Sequence, residues 1–293
     1  MKLSAVQSRQ NGIGERSGSP EITLRGMEEA FDLTERAISE GADVVCTIET
    51  LNPCGRFADP MVERARRISE VNREAFRRFS VLSRKALVVA GLFTAREGKV
   101  YNSAVLFDRG DLIGIYDKIH LPAPEQGTIV PGKQFTVFNT SAGQIGPMVC
   151  WDMQYPESGR ILALMGADLL VCPTWGWEEI FRCRAYENSV PMLVAMGVPE
   201  SGVIWDGCAP SCVVDNMGNI LASGSMTEPG IISAEVAVGQ DPPPQYDSAM
   251  TGRTSMRDIR RSQRLPDRYG YLCAPVTELD RRYDPAIIKT QEE

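Results

Sequence analysis

The chain has one histidine, His120, in 293 residues, and that scarcity removes several chemistries at once. Protein zinc sites draw on Cys and His at short, paired spacings. Here the nearest approach, Cys208 with Cys212, has no second Cys/His pair to complete it, so neither a metal nor a cofactor is expected. The sequence also lacks an internal repeat, a phosphate loop and a Gly-x-Gly-x-x-Gly turn after a strand, which leaves nucleotide chemistry without a cradle. Nowhere do about 18 apolar residues run together. The opening segment MKLSAVQSRQNG turns polar after six residues, so we expect a soluble, unsecreted, cytoplasmic protein with no membrane contact. Basic charge is not in excess either: 31 Lys and Arg face 38 Asp and Glu, a formal net charge of −7. Nothing in that balance attracts a phosphate backbone or an anionic lipid, and nucleic acid is not an expected partner.

Apolar residues make up 43% of the chain, enough at this length to bury one large core. Eight cysteines lie at irregular spacings, several inside strand-like runs such as LLVCP, where buried thiols act as small hydrophobes and form no disulfide framework. Leu3–Gln7 reads as a strand. Ser19-Pro20 reads as an N-cap with proline at the first helical position, and one amphipathic helix is expected from there to Gly41. The run ADVVCTI reads as a buried strand, and a second helical pattern from Met61 to Leu82 leads into the strand ALVVAGLF. Strand-like runs then crowd together as YNSAVLF, LIGIYD, FTVFNT and QIGPMVC. Helix and strand alternate after Pro156, with further strands ending near Glu235. This order describes an α/β protein with two sheets and helices outside. Residues 1–240 form the main unit. Residues 241–293 begin with DPPP, carry arginines at 253, 257, 260, 261, 264 and 268, show no apolar period, and read as an extended arm.

Three chemically capable side chains fall at or just beyond strand ends: Glu49 after ADVVCTI, Lys118 after LIGIYD and Cys150 after QIGPMV. Ligand crevices in α/β folds open at the carboxyl ends of strands, where a rigid sheet can gather groups distant in sequence. A cysteine is a capable nucleophile once a base or cation assists it. Each residue alone has an ordinary reading as well: a core thiol, a helix-capping carboxylate, a surface ammonium. A papain-like pairing of Cys150 would have to use His120, the sole histidine.

Taken together, the blocks ADVVCTIET, YDKIHL and GQIGPMVCWDMQYPESGR resemble the nitrilase superfamily of carbon-nitrogen hydrolases, in the family's order and with suitable spacing. The segments VPGKQFTVFNT, ADLLVCPTWG and RCRAYEN extend the resemblance over roughly the first 235 residues. It implies a four-layer α-β-β-α sandwich, forming homodimers or larger even-numbered assemblies through helices, with the C-terminal arm reaching towards a neighbour. It implies Cys150 as nucleophile, Glu49 as proton shuttle, and Lys118 with the Trp151 peptide N–H as oxyanion partners. The family often adds a second glutamate after the lysine, and Glu125 is the only acidic residue between Lys118 and Cys150. Asp152 and Arg160 are implied to brace the nucleophile turn, Arg184 and Glu187 to form a structural pair, and His120 to be structural. Trp151, Trp175 and Trp177 are candidate substrate-binding residues. True nitrilases tend to place glutamate where Asp152 stands, so the resemblance favours a small-molecule amide or N-carbamoyl substrate over a nitrile. Arg160 and Arg182 are candidate partners for a substrate carboxylate. The alternatives are a nitrilase, a small-molecule acyltransferase, and a non-catalytic binding module on the same fold.

Overall fold

Strand residues alternate between two environments, and in this chain both are core. The computed structural model describes residues 1–10, 19–54, 56–176, 178–199, 208–241 and 255–273. One six-stranded sheet runs in the order β14 (Gly230–Glu235), β1 (Lys2–Gln7), β3 (Val44–Thr47), β4 (Leu87–Arg96), β5 (Lys99–Asp108) and β6 (Asp111–Asp117). The other runs β13 (Ile220–Ser223), β12 (Cys212–Val214), β10 (Met192–Met196), β9 (Leu169–Thr174), β8 (Gly143–Pro147) and β7 (Phe138–Thr140). A two-residue pairing joins β2 (Arg9–Gln10) to β11 (Val198–Pro199). Each large sheet keeps three parallel strands at its centre, β1-β3-β4 and β8-β9-β10, with antiparallel neighbours outside.

The two-residue period sorts side chains cleanly. Val44, Cys46, Leu87, Val89, Ala104 and Leu106 point inward to meet Leu169, Val171, Leu193, Ala195 and Val213 from the facing sheet. Their alternates Val45, Val88, Ala90, Val105 and Phe107 point outward against α2 (Glu28–Ser39) and α3 (Met61–Leu82). On the other side Leu170, Cys172, Met192, Val194 and Val214 meet α4 (Pro156–Leu164) and α5 (Glu178–Asn188). The result is the expected α-β-β-α sandwich. Burial on both faces explains why these strands read as continuous apolar runs instead of alternating ones.

Two expectations need correction. Ser19 does cap a helix that has Pro20 at its first position, its side chain accepting the Ile22 N–H, but α1 (Pro20–Gly26) stops early and α2 begins at Glu28. Gly26 is a poor helix former, and fully buried Met27 makes the joint, its N–H shared between the carbonyls of Thr23 and Leu24. The arm, over its described part, is not simply extended: Ser255 caps a short helix, α6 (Met256–Ser262). Its arginines bind the carbonyl ends of α4 and α5. Arg257 donates to Ala167 O at 2.6 Å, Arg261 to Leu164 O at 3.2 Å, and Arg260 to Tyr186 O and to Ser189 Oγ. Cations at helix C-termini satisfy the last carbonyls and the helix dipole. This attachment needs one buried apolar side chain, Ile259, and therefore leaves no hydrophobic period to read. Over residues 255–273 the arm packs on its own chain.

Gly91 of β4 sits where the two sheets are in tight contact. A Cβ there would run into the Ile48 carbonyl and lie 2.8 Å from both Glu49 Cα and Pro173 Cβ of the opposite sheet. The Gly91 carbonyl accepts the Leu51 N–H at 2.9 Å, pinning the chain that leaves β3. Gly91→Ala is expected to destabilise the protein by about 3 kcal/mol, since overpacking a filled core forces backbone shifts, and to displace Glu49. Urea unfolding of the variant beside the native chain measures the first effect.

Candidate active site

The ends of three strands bring Glu49, Lys118 and Cys150 into one buried cluster. Glu49 lies two residues beyond β3, before Thr50, whose φ is 52°. Lys118 follows β6 directly; its N–H donates to Asn102 O and its carbonyl accepts the Gly132 N–H, both at 2.8 Å. Beyond β8, Met148 N–H still pairs with Val171 O at 2.9 Å, and Cys150 then opens a 3-10 turn, Cys150–Gln154, that runs into α4. Cys150 has φ 44°. That left-handed conformation is disfavoured for a side-chain-bearing residue and persists only where its surroundings enforce it.

Asp152 is a large part of that enforcement. Its carboxylate is fully buried. Oδ2 accepts the Val149 N–H at 3.1 Å and the Tyr116 hydroxyl at 2.8 Å, while Oδ1 accepts the N–H groups of Ile119 and His120 at 3.2 and 2.9 Å. One side chain on the nucleophile turn thereby holds the loop that follows Lys118. His120 Nδ1 also lies 2.9 Å from Asp152 Oδ1, and its ring stacks on Tyr155 at 3.9 Å. His120 is thus occupied with bracing, as expected. From α5, Arg184 donates to Met153 O at 2.9 Å and Gln154 O at 3.3 Å and pairs with Glu187 at 2.8 Å.

Lys118 is 1% exposed and sits between two carboxylates, 3.0 Å from Glu49 Oε1 and 2.8 Å from Glu125 Oε2. Burial opposes its charge, but Glu49, Cys150 and Glu125 together outweigh burial and hold its pKa above the ordinary lysine value. Glu125 lies in a 3-10 turn, Ala123–Glu125; burial raises its pKa and the Glu49 charge adds to this, against the opposing pull of Lys118. Asn102 of β5 completes the set, its Nδ2 donating to Glu49 Oε1 at 2.7 Å and Glu125 Oε1 at 2.9 Å. Burial, then the Glu49 charge, push the Cys150 thiol up to about 12, with Lys118 and the Trp175 backbone pulling the other way. The same balance favours the neutral thiol, whose Sγ faces Trp175 O, while His120 is committed to Asp152.

The tryptophans fall differently. Trp175, half-buried past β9, places its carbonyl 3.3 Å from Cys150 Sγ and packs into the core between the sheets. Trp151 is half-buried within the nucleophile turn, and Trp177 lies outside the described residues. Arg160 donates to Glu187 O and Arg182 to Gly218 O. Sequence reading missed Asn102 and Tyr116. Asn102 left a signal: an asparagine, depleted in strands, inside the buried run YNSAVLF. Among the described residues no group of three or more His, Cys, Asp or Glu is disposed to hold a metal, and no helix is long and apolar enough to cross a membrane.

Residues 3–240 match the carbon-nitrogen hydrolase family model, and the chain belongs to that family. A probable nitrilase of Schizosaccharomyces pombe is 32% identical over 186 residues, covering 60% of this chain and 64% of that protein. The human omega-amidase NIT2 is 28% identical over 233 residues, 71% of this chain and 81% of its own length. A carbon-nitrogen hydrolase from Helicobacter pylori G27 superposes with TM-score 0.71 at 28% identity, covering 94% of this chain and 98% of its own. An amidase from Nesterenkonia sp. AN1, solved with acrylamide added at its active-site cysteine, superposes with TM-score 0.67 at 25% identity, covering 81% and 93%.

Asp152→Ala would strand buried donors on both sides of the turn. It is expected to cost on the order of 3 kcal/mol of stability, because hydrogen bonds to a charged group are lost and their partners stay buried. Urea denaturation checks this, and Asp152→Asn, which keeps one acceptor oxygen, should lose less.

Proposed function

We propose that the protein is an amidase that opens the carbon–nitrogen bond of a small amide or N-carbamoyl compound through a thioester on Cys150. One observation carries the reading: a buried thiol within reach of the Glu49 charge, beside a lysine kept charged by two carboxylates. As sulfur attacks the carbonyl carbon, its proton passes to Glu49, and the oxyanion is stabilised by Lys118 and the Trp151 peptide N–H. Glu49 then returns the proton to nitrogen, the carbon–nitrogen bond breaks, and ammonia or an amine leaves. Water attacks the thioester and gives a proton to Glu49; the carbon–sulfur bond breaks, and the acid departs as the thiol is restored.

Glu125 serves a different part. Its Oε2 faces Lys118 and its Oε1 accepts from Asn102, which suits a group that fixes the lysine rather than one that shuttles protons. The amide reading draws support from Asp152 after the nucleophile and from relatives named as amidases. We also propose that the protein works in the cytoplasm as a homodimer or larger even-numbered assembly. The half-exposed apolar residues Met165 of the α4 end and Tyr186 of α5 support an interface there, and light scattering tests it.

Ammonia release should be measured across aliphatic amides, aromatic amides, N-carbamoyl amino acids, carbamoyl amines and nitriles. Activity is expected with an amide or carbamoyl class and should vanish in Cys150→Ala; equal activity in native and mutant protein would sink the mechanism. The raised thiol pKa gives a second expectation. The thiolate absorbance that distinguishes native protein from Cys150→Ala should stay absent up to about pH 10, where an ordinary cysteine is already ionised.

A further inference from the structure

We propose that Asn102 is a positioning residue that leaves Glu49 as the single landing site for the Cys150 proton. The inference rests on the reading of Glu49 as the base and deepens it.

Asn102 is fully buried on β5, on the side facing the cluster. A primary amide offers two N–H donors and one carbonyl acceptor. Both donors go to carboxylates, one to Glu49 Oε1 at 2.7 Å and one to Glu125 Oε1 at 2.9 Å. The carbonyl Oδ1 is buried without a hydrogen-bond partner among the described residues. Turning the amide over would aim that oxygen at two anionic groups, so electrostatics fixes the orientation and the fold bears an unpaired carbonyl in return. A stability role alone would be met by an apolar side chain, as at Ala104 and Leu106 further along the same face.

The consequence follows from counting acceptors. Glu125 uses Oε1 for Asn102 and Oε2 for Lys118. Glu49 receives both Asn102 and Lys118 on Oε1. Glu125 Oε2 accepts no hydrogen bond but lies in the ion pair with the Lys118 ammonium, which opposes a proton there; Glu49 Oε2, engaged by neither Asn102 nor Lys118, is the oxygen to which the thiol proton goes. Without the amide, Glu125 Oε1 becomes a second acceptor on a carboxyl group that burial and the Glu49 charge already incline towards protonation. A proton held there weakens the hold on Lys118 and removes the difference between the two glutamates. The ionisable groups facing the amide are Glu49 and Glu125, with Lys118 and Cys150 beyond them. Asp117, the β6 partner of the adjacent Ser103, is already engaged by Arg96 and Ser103 at 2.5 and 2.7 Å.

The test is the pH profile of kcat/KM for Asn102→Leu, which nearly matches the amide in volume, on whichever amide the native protein hydrolyses. Alkylation of Cys150 counts the active sites. The expected result is a kcat about 100-fold lower per alkylatable Cys150, the scale of misplaced catalytic groups, with KM little changed. The acid limb should move about one pH unit upward, because a carboxylate that loses a donor binds its proton more tightly. Adding Glu125→Gln removes the competing carboxylate and should bring the acid limb back towards its native position, which a purely structural role would not do. Asn102→Ser serves as a smaller variant where Leu impairs folding. A native acid limb in folded Asn102 variants, with the loss of rate matched by loss of alkylatable Cys150, overturns the proposal. Glu49→Gln separates the two levels: if it stays active, the reading of Glu49 as base fails, whereas an inactive Glu49→Gln beside a native Asn102→Leu profile overturns only the role of Asn102.

Discussion

A lysine ammonium removed from water has to be compensated on the spot, and the fold around Lys118 is arranged to do so. An isolated buried ammonium would lose its proton. Glu49 and Glu125 keep it charged, at 3.0 and 2.8 Å. The same pairing binds the two carboxylates, which would otherwise repel each other. A site of this kind is costly to assemble, since charges leave water before they attract one another, and it needs a scaffold that cannot relax. Two sheets packed face to face supply that scaffold, with Glu49 and Lys118 at strand ends of one and Cys150 beyond a strand of the other.

The proposed division of labour follows from the same charges. A thiol pushed up to about 12 carries little standing thiolate at neutral pH, and the thiolate is the attacking form. It becomes a nucleophile when attack and proton transfer to Glu49 occur together. Lys118, unable to give up its proton among anionic neighbours, is suited to meeting negative charge on oxygen. Each group is held in the ionisation state that its part requires.

Much of this was legible in the sequence. Strand runs buried on both faces stand out because they lack polar interruption, and Glu49 and Lys118, which follow two of them, stand out in turn because they are charged; Cys150 alone reads as a core thiol and was singled out by the resemblance of its block. Glu125 could be singled out as the sole acidic residue in its loop. Asn102 was hidden because its partners come from β3 and the loop after β6, contacts that no local pattern encodes. The break at Met27 depends on a side chain being drawn into the core, and α6 is held by arginine bonds to helix ends, which leave no periodic trace. Arg160 and Arg182 could not be placed from sequence, and their backbone partners, Glu187 O and Gly218 O, come from contacts distant along the chain.

Asp152 carries a consequence for how the chain comes to life. Its acceptors join Val149, on the second half of the chain, to Tyr116, Ile119 and His120, on the first. A growing chain that has reached Glu125 possesses both carboxylates and the lysine but not yet the Cys150 thiol. When the second sheet arrives, the turn bearing Cys150 is clasped by the earlier half, and the thiol enters its buried, protonated surroundings as it meets its base. The proposed nucleophile is thereby placed only on completion of the sandwich, so that a half-made molecule holds the carboxylates and the lysine without the thiol they surround.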